Sequence, residues 1–466
     1  MMLRMRLPSF LRSAVLSLVV LGIAGCTVGP AYQRPQVALA ATYKELAGWT
    51  RATPADAIDR GDWWTLFDDP ILNDLMQQAA VSNNNIAAAN AAYAQARAVV
   101  REQRANLFPV VSLNGSGRRS GGDGTPAPGN NFQASIGATW EPDVWGRLSR
   151  GVDSADAAAA ASAADVASAS LSARGELAID YFSLRQADRQ RRLLLQTVDA
   201  YQRTLTISRN RYQAGIASKT DLLQAQTQLS NVQADEAGLG RTRAQYEHAI
   251  AVLIGRTPSD FTLSATERVD SVPVFPVGVP STLLQRRPDI AAAERRVAVA
   301  NQQIGIAQSA FYPTLNLSGS YGSTARRVAD LFSVSNSIWS LGLSAAEVLF
   351  NAGATKARVS GAEAAQDQAA ARYRQIVLSA FQNVEDQLAA TQVLEQQQRL
   401  REQASRAADE AEAQVLNRYR AGQVNFTEVV TAQVIALNAR RALVQNAADR
   451  QVTAVALIQA LGGSWN

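Results

Sequence analysis

Arg211-Tyr212-Gln213-Ala214-Gly215 returns 207 positions later as Arg418-Tyr419-Arg420-Ala421-Gly422. The match runs on at the same spacing: Asp221 faces Glu428, Ala225-Gln226 faces Ala432-Gln433, Asn231 faces Asn438, and Gly255 faces Gly462. Upstream, Leu107-Phe108-Pro109 parallels Phe311-Tyr312-Pro313, and Gly146 parallels Gly353. Solenoid units run roughly 20–50 residues, so this period is that of a duplicated domain. Two similar halves packed around a shared axis or lumen are expected.

Each half reads as helix, hairpin, very long helix, tight turn and returning helix. Residues 107–117 and 131–141 alternate: Phe132, Ala134, Ile136, Ala138 and Trp140 share one face, with Gln133, Ser135, Gly137 and Thr139 on the other. Residues 313–322 and 337–346 repeat the pattern, with Leu315, Leu317 and Tyr321, then Trp339, Leu341 and Leu343, opposite serines and Asn316. Segments of about ten residues suit a tilted strand crossing a bilayer. Periodicity alone suits soluble hairpins equally well.

The helices decide between them. Gly353 to about Arg420 holds no proline and one internal glycine, Gly361. At 1.5 Å per residue this is roughly 100 Å of helix. Residues 147–212 form its counterpart. Val377, Phe381, Val384, Leu388 and Leu394 recur at the spacing of coiled-coil-like packing. Gly215 and Gly422 break these helices and return the chain into 219–254 and 425–461, while 71–106 and 288–310 precede the hairpins. The fold class is therefore mainly α, with very long coiled-coil-like helices and four strands per protomer suited to a membrane β-barrel. Closed membrane barrels need at least about eight strands, so several chains must share one. Two, three or four copies all remain open at this level.

The termini and composition add limits. Residues 1–25 read as a signal peptide, with Arg4, Arg6 and Arg12 before the apolar run Ala14 to Ala24. Removing them lowers the formal charge from +5 to +2, since they carry three arginines and no acids. No basic cluster with interleaved aromatics points to nucleic acid. Cys26 is the only cysteine, so no disulfide can form within one mature chain. The 47% hydrophobic but only 6% aromatic composition suggests closely apposed helices. Residues 26–62 read as an N-terminal arm, 63–255 and 286–462 as the two repeats, 256–285 as a proline-rich bridge, and 463–466 as a tail. The single histidine, His248, lies mid-helix, and no metal-ligand cluster, phosphate loop or nucleophile elbow is present. No cofactor and no enzymatic activity are expected.

Several stretches together resemble a known family. They are Cys26-Thr27-Val28-Gly29-Pro30-Ala31-Tyr32-Gln33-Arg34-Pro35, Trp63-Trp64 through Pro70, Trp140-Glu141-Pro142-Asp143-Val144-Trp145-Gly146-Arg147, and Arg287-Pro288-Asp289 through Glu294-Arg295. With the two Arg-Tyr-x-Ala-Gly repeats, the chain resembles the TolC superfamily, in the OprM/NodT-type branch of outer-membrane efflux lipoproteins. Pro142 and Glu347 depart from that pattern without disturbing the alternation.

The resemblance implies a homotrimer with a twelve-stranded barrel in the outer membrane and a helical tunnel in the periplasm. It implies lipidation of Cys26, whose preceding Ile23-Ala24-Gly25 resembles a lipobox. Partners would be a periplasmic adaptor and an inner-membrane pump of the RND type, with no nucleic acid. Cargo would be small molecules such as drugs and toxic compounds. A gate is implied at the periplasmic tip beside the turn glycines Gly215 and Gly422. There Glu428, with Tyr419 and Arg420, would hold the second hairpin closed, and Asp221 and Lys219 would support the first. Thr431 stands where the family often has a second acid. Two rivals are a type I secretion channel of the same family and a pore-less periplasmic coiled-coil lipoprotein.

Overall fold

A computed structural model describes residues 27–36, 61–121, 129–266, 272–273 and 287–463. The signal peptide, Cys26, most of the arm, most of the proline-rich bridge and the end of the tail lie outside these. The chain divides into two compact units.

The first unit comprises Met1–Gln36, Ala92–Ala163 and Ala292–Arg374. Its centre is an antiparallel sheet of β1 (Val110–Ser120), β2 (Gly129–Trp140), β3 (Thr314–Ala325) and β4 (Ser337–Ala346), in the order β1-β2-β3-β4. The register aligns Leu113 with Ile136, Ile136 with Tyr321, and Tyr321 with Trp339. One face is thus a continuous apolar band, and Asn114, Ser135, Gly322 and Ile338 begin the row beside it on the other. The band is open: Leu113 is 79% exposed, Trp339 77% and Leu341 74%. Among the described residues β1 pairs only with β2 and β4 only with β3, which leaves both outer edges unpaired.

Several strand limits differ from the sequence reading. β1 starts at Val110, because Asn106, Leu107 and Phe108 still donate their N–H groups into the preceding helical turns. It then continues to Ser120, where Arg118 and Arg119 pair with Asn131 and Asn130. β3 likewise runs to Ala325 rather than 322.

Below the strands the chain is pinned by side chains. Trp140 Nε1 donates to Leu107 O at 3.0 Å, and Trp145 Nε1 donates to Pro313 O at 2.8 Å. Asp143 accepts from the N–H groups of Leu148 and Ser149 and so caps the long helix α3, Arg147–Gln213. Residues 27–36 lie against this frame. Val28 N donates to Trp145 O, Asn301 Nδ2 donates to Pro30 O, and Tyr32 donates to Glu294. A side chain at Gly29 would sit 2.5 Å from Gly305 Cα, so only glycine permits that approach.

The second unit comprises Val37–Ala91, Ala164–Ala291 and Gln375–Asn466. Trp63, Trp64 and Phe67 form a short 3-10 turn and bury their rings against Leu72, Met76, Tyr181, Phe182, Ile250 and Ile458. Asp69 starts α1 (Pro70–Ser82) by accepting from Ile71 N and Leu72 N, and its other oxygen accepts from Tyr181 OH at 2.6 Å. The helix expected over 71–106 is two helices, α1 and α2 (Asn84–Ala105). Asn83 makes the break. Its Oδ1 accepts from Asn85 N and Ile86 N as an N-cap, while its Nδ2 donates to Leu253 O at 2.7 Å.

Helix α3 runs on in this unit to Gln213 and is followed by α4, Lys219–Leu253. In the second repeat α5 (Pro288–Ser309) precedes β3, and α6 (Ala354–Arg420) and α7 (Phe426–Ala460) form the corresponding hairpin.

Asn83→Ala should destabilise the protein by about 1–3 kcal/mol, since it removes a cap and strands a buried carbonyl. Asn83→Ser, which keeps the cap but not the donor to Leu253, should lose less. Thermal melting followed by circular dichroism would check this, and an unchanged midpoint in both variants would contradict it.

Candidate functional site

Four helices end in the same way. At Gly215, Ile216 N donates to Arg211 O and Gly215 N to Tyr212 O; at Gly422, Gln423 N donates to Arg418 O and Gly422 N to Tyr419 O. These paired bonds are Schellman caps, which require a left-handed residue. Gly215 and Gly422 supply it with φ of 68° and 75°. The same bonds recur at Gly255 and Gly462. After the turns, Ser218 and Asn425 cap α4 and α7 by accepting from Asp221 N and Glu428 N. Both hairpins are thus built from one local grammar.

What joins the hairpins is less symmetric. Leu194, Tyr201, Leu205, Ala225, Leu229 and Val232 of the first share a core with Tyr419, Phe426, Val429 and Leu437 of the second. At its tip end, Tyr419 is only 2% exposed. Its ring meets Phe426 at 5.4 Å, and the Arg211 guanidinium lies 4.7 Å from the ring centre. Arg211 Nη1 also donates to Tyr419 O at 2.6 Å, and Ser208 Oγ lies 3.4 Å from the Tyr419 hydroxyl. Further along, Arg441 pairs with Asp235 at 3.0 Å, and Arg189 donates to Gln451 Oε1 at 3.1 Å.

The sequence-predicted gate residues fall around this joint. Glu428 is exposed, and its backbone N–H is held by Asn425; no ion pair or side-chain hydrogen bond engages its carboxylate among the described residues. Arg420 donates to its own helix neighbour Asn417, not to Glu428. Tyr419 faces the first hairpin instead. Thr431 Oγ1 donates to Thr427 O along the helix. Asp221 accepts from Ser218 Oγ at 2.8 Å, and Lys219 is exposed with no partner among the described residues. The residue that reaches across is Arg211. It is the first letter of the repeated motif, so the signal was in plain view, but repetition did not say which copy engages.

A second ionic cluster also went unread. Arg185, 2% exposed, meets Asp188 at 3.3 Å, and Asp188 is shared with Arg243, which also meets Glu247. Arg185 Nη1 donates to Ser264 O at 2.7 Å, tying the post-helix segment to α3. Among the described residues, no group of His, Cys, Asp and Glu side chains is placed to hold a metal ion.

The family described as outer membrane efflux protein matches residues 75–256 and 279–463, one span for each repeat. The chain belongs to this family. It is 30% identical over 464 residues to the probable efflux pump outer membrane protein TtgC of Pseudomonas putida, spanning 97% of this chain and 96% of the relative. The outer-membrane channel OprN superposes with a TM-score of 0.87 at 30% identity, over 94% of this chain and 100% of OprN. The channel CusC superposes with a TM-score of 0.86 at 26% identity, over 94% of this chain and 100% of CusC. As an outer membrane efflux protein of the TolC superfamily, the chain is an outer-membrane channel, with strands for the membrane and helices for a periplasmic tunnel.

Arg211→Ala should loosen the second hairpin's tip by about 1–3 kcal/mol, because it removes a cation–π contact and one partner of a buried carbonyl. Arg211→Lys should restore only part of this. Amide hydrogen exchange over residues 415–426 would report the change as faster exchange; equal rates would contradict it.

Proposed function

We propose that three copies of this chain form the passive exit duct of a tripartite efflux pump, carrying small molecules such as drugs and toxic compounds from the periplasm to the exterior. One observation carries this reading: a four-stranded sheet with an exposed apolar band and two unpaired edges. Each unpaired backbone group in hydrocarbon costs several kcal/mol, so the edges must be closed by other copies. An eight-stranded barrel has an interior just wide enough for side chains, whereas a twelve-stranded one from three copies leaves room for solute. The polar row of serines and Asn114, Asn316 and Gln133 would then line the wall, binding solutes weakly enough to let them pass.

The remaining parts of the reading follow from this one. Cys26 carries the lipid anchor; Thr27, the next residue, packs against Gly146 at the foot of β2, which supports an attachment at the membrane edge. Two or more acyl chains would hold it there stably. The helical tip contacts a periplasmic adaptor and, through it, an inner-membrane pump of the RND type, which selects the cargo. The protein performs no catalysis of its own.

The gate lies at the turns of Gly215 and Gly422. Glu428, exposed and without a counter-ion, offers a ring of three carboxylates around the axis, with Thr431 replacing a second ring. Tyr419, Arg420, Asp221 and Lys219 shape the surrounding tip. Opening is a population shift that requires the adaptor to bind the open state more tightly than the closed one.

Purified protein in planar bilayers should give discrete single-channel currents, and Glu428→Ala should reduce the preference for cations. Absence of currents would contradict the duct. Currents with unaltered selectivity would remove Glu428 from the gate.

A further inference from the structure

The two strand hairpins keep their charge at one end. Residues 110–140 and 314–346 hold six charged side chains: Arg118, Arg119 and Asp123 in the first, Arg326, Arg327 and Asp330 in the second. All six lie around the β1–β2 and β3–β4 turns, away from the ends where the helices join. With the helices in the periplasm, that end is the outer one. The balance there is four arginines against two aspartates, +2 per chain, and every cation is an arginine. Arg327 meets Asp330 at 3.2 Å with its side chain still 84% exposed. Arg118, Arg119 and Arg326 are exposed, and no hydrogen bond or ion pair engages their side chains among the described residues.

The register brings the arginines together. Asn131 pairs with Arg118, and the next residue, Phe132, pairs with Ala325. Arg326 and Arg327 therefore come level with Arg118 and Arg119, about 10 Å away across β2 at two strand spacings of ~4.8 Å. Alternation puts Arg119 on the face of Leu113 and Arg118 on the polar face of Asn114. Beside them the β3–β4 turn exposes apolar side chains, Val328 at 59%, Phe332 at 86% and Val334 at 90%. A turn surrounded only by water gains nothing from that surface. Arginines next to exposed aromatic and aliphatic groups, at the top of an apolar band, make up a membrane interface.

We propose that this collar binds the phosphorylated headgroups of outer-leaflet lipid, with Arg119, Arg326 and Arg327 on the phosphates and Phe332 and Val334 against the upper acyl chains. A guanidinium meets a phosphate with two parallel N–H···O bonds, which an ammonium does not. Several guanidinium groups at this spacing favour a headgroup that carries more than one phosphate. The bound lipid would tie the β1–β2 and β3–β4 turns together from outside the sheet. The inference rests on the three-copy barrel proposed above, which turns the apolar band and Arg119 towards lipid and Arg118 away from it.

Native mass spectrometry of the detergent-purified, full-length protein tests this, with diphosphoryl lipid A, monophosphoryl lipid A and phosphatidylethanolamine as probes. The diphosphoryl lipid should bind most tightly and phosphatidylethanolamine least. The triple variant Arg119→Gln, Arg326→Gln, Arg327→Gln should bind the diphosphoryl lipid roughly 100-fold more weakly, at about fivefold for each arginine beside an anionic headgroup. Arg118→Gln, on the other face, should bind it as the unaltered protein does. Equal binding of the three lipids, a triple variant that binds undiminished, or a loss from Arg118→Gln as large as that from Arg119→Gln would each overturn the collar. The unaltered protein alone supplies a second measure: its preference should weaken as salt rises, and a salt-independent preference would contradict it. Single-channel currents from the same preparation separate this inference from the duct. Currents without lipid preference would overturn the collar alone, and a protein that shows neither would overturn both.

Discussion

An unpaired peptide group in hydrocarbon is the constraint on which this protein turns. β1 and β4 present rows of free N–H and C=O groups flanked by Leu113, Trp339 and Leu341, side chains that only lipid or another protein surface would cover. A soluble protein with such edges would aggregate. A membrane protein resolves them by closure, and a sheet of four strands is too narrow to close on itself. Oligomerisation is thus imposed by backbone chemistry before any side-chain contact is considered.

The duplication carries that solution into the helices. Two hairpins of identical turn design, each ended by a Schellman glycine and restarted by a capping side chain, give near-equivalent surfaces that can pack side by side repeatedly. Small sequence differences then distinguish the joints. Phe426 backs Tyr419 where the first repeat has Lys219, and Ser208 reaches the Tyr419 hydroxyl where the second repeat has Val415. Differences of this size, a few hydrogen bonds and one ring contact, are suited to a conformational equilibrium that partner binding can shift.

Much of this was legible in the sequence. The strand pattern, the proline-free helices and the turn glycines all express strong local rules, in which periodicity and φ preference are read from a few neighbouring residues. What escaped was nonlocal. The break at Asn83 sits inside an otherwise helical run, and its amide donates to Leu253, 170 positions away. Arg211 was visible as a repeated letter, but its target belongs to the other repeat. The Arg185, Asp188 and Arg243 cluster depends on α3 and α4 lying together with the segment near Ser264. At the tip, Arg420 donates to Asn417 along its own helix, a local contact that the motif alone did not single out.

Edge closure between chains is the central claim, and electron cryo-microscopy of the full-length protein in lipid nanodiscs tests it most directly. The account predicts one barrel in which β4 of each subunit is hydrogen-bonded to β1 of the next, with twelve strands drawn from three chains. A particle in which each chain keeps its own four-stranded sheet with open edges in the bilayer would contradict it.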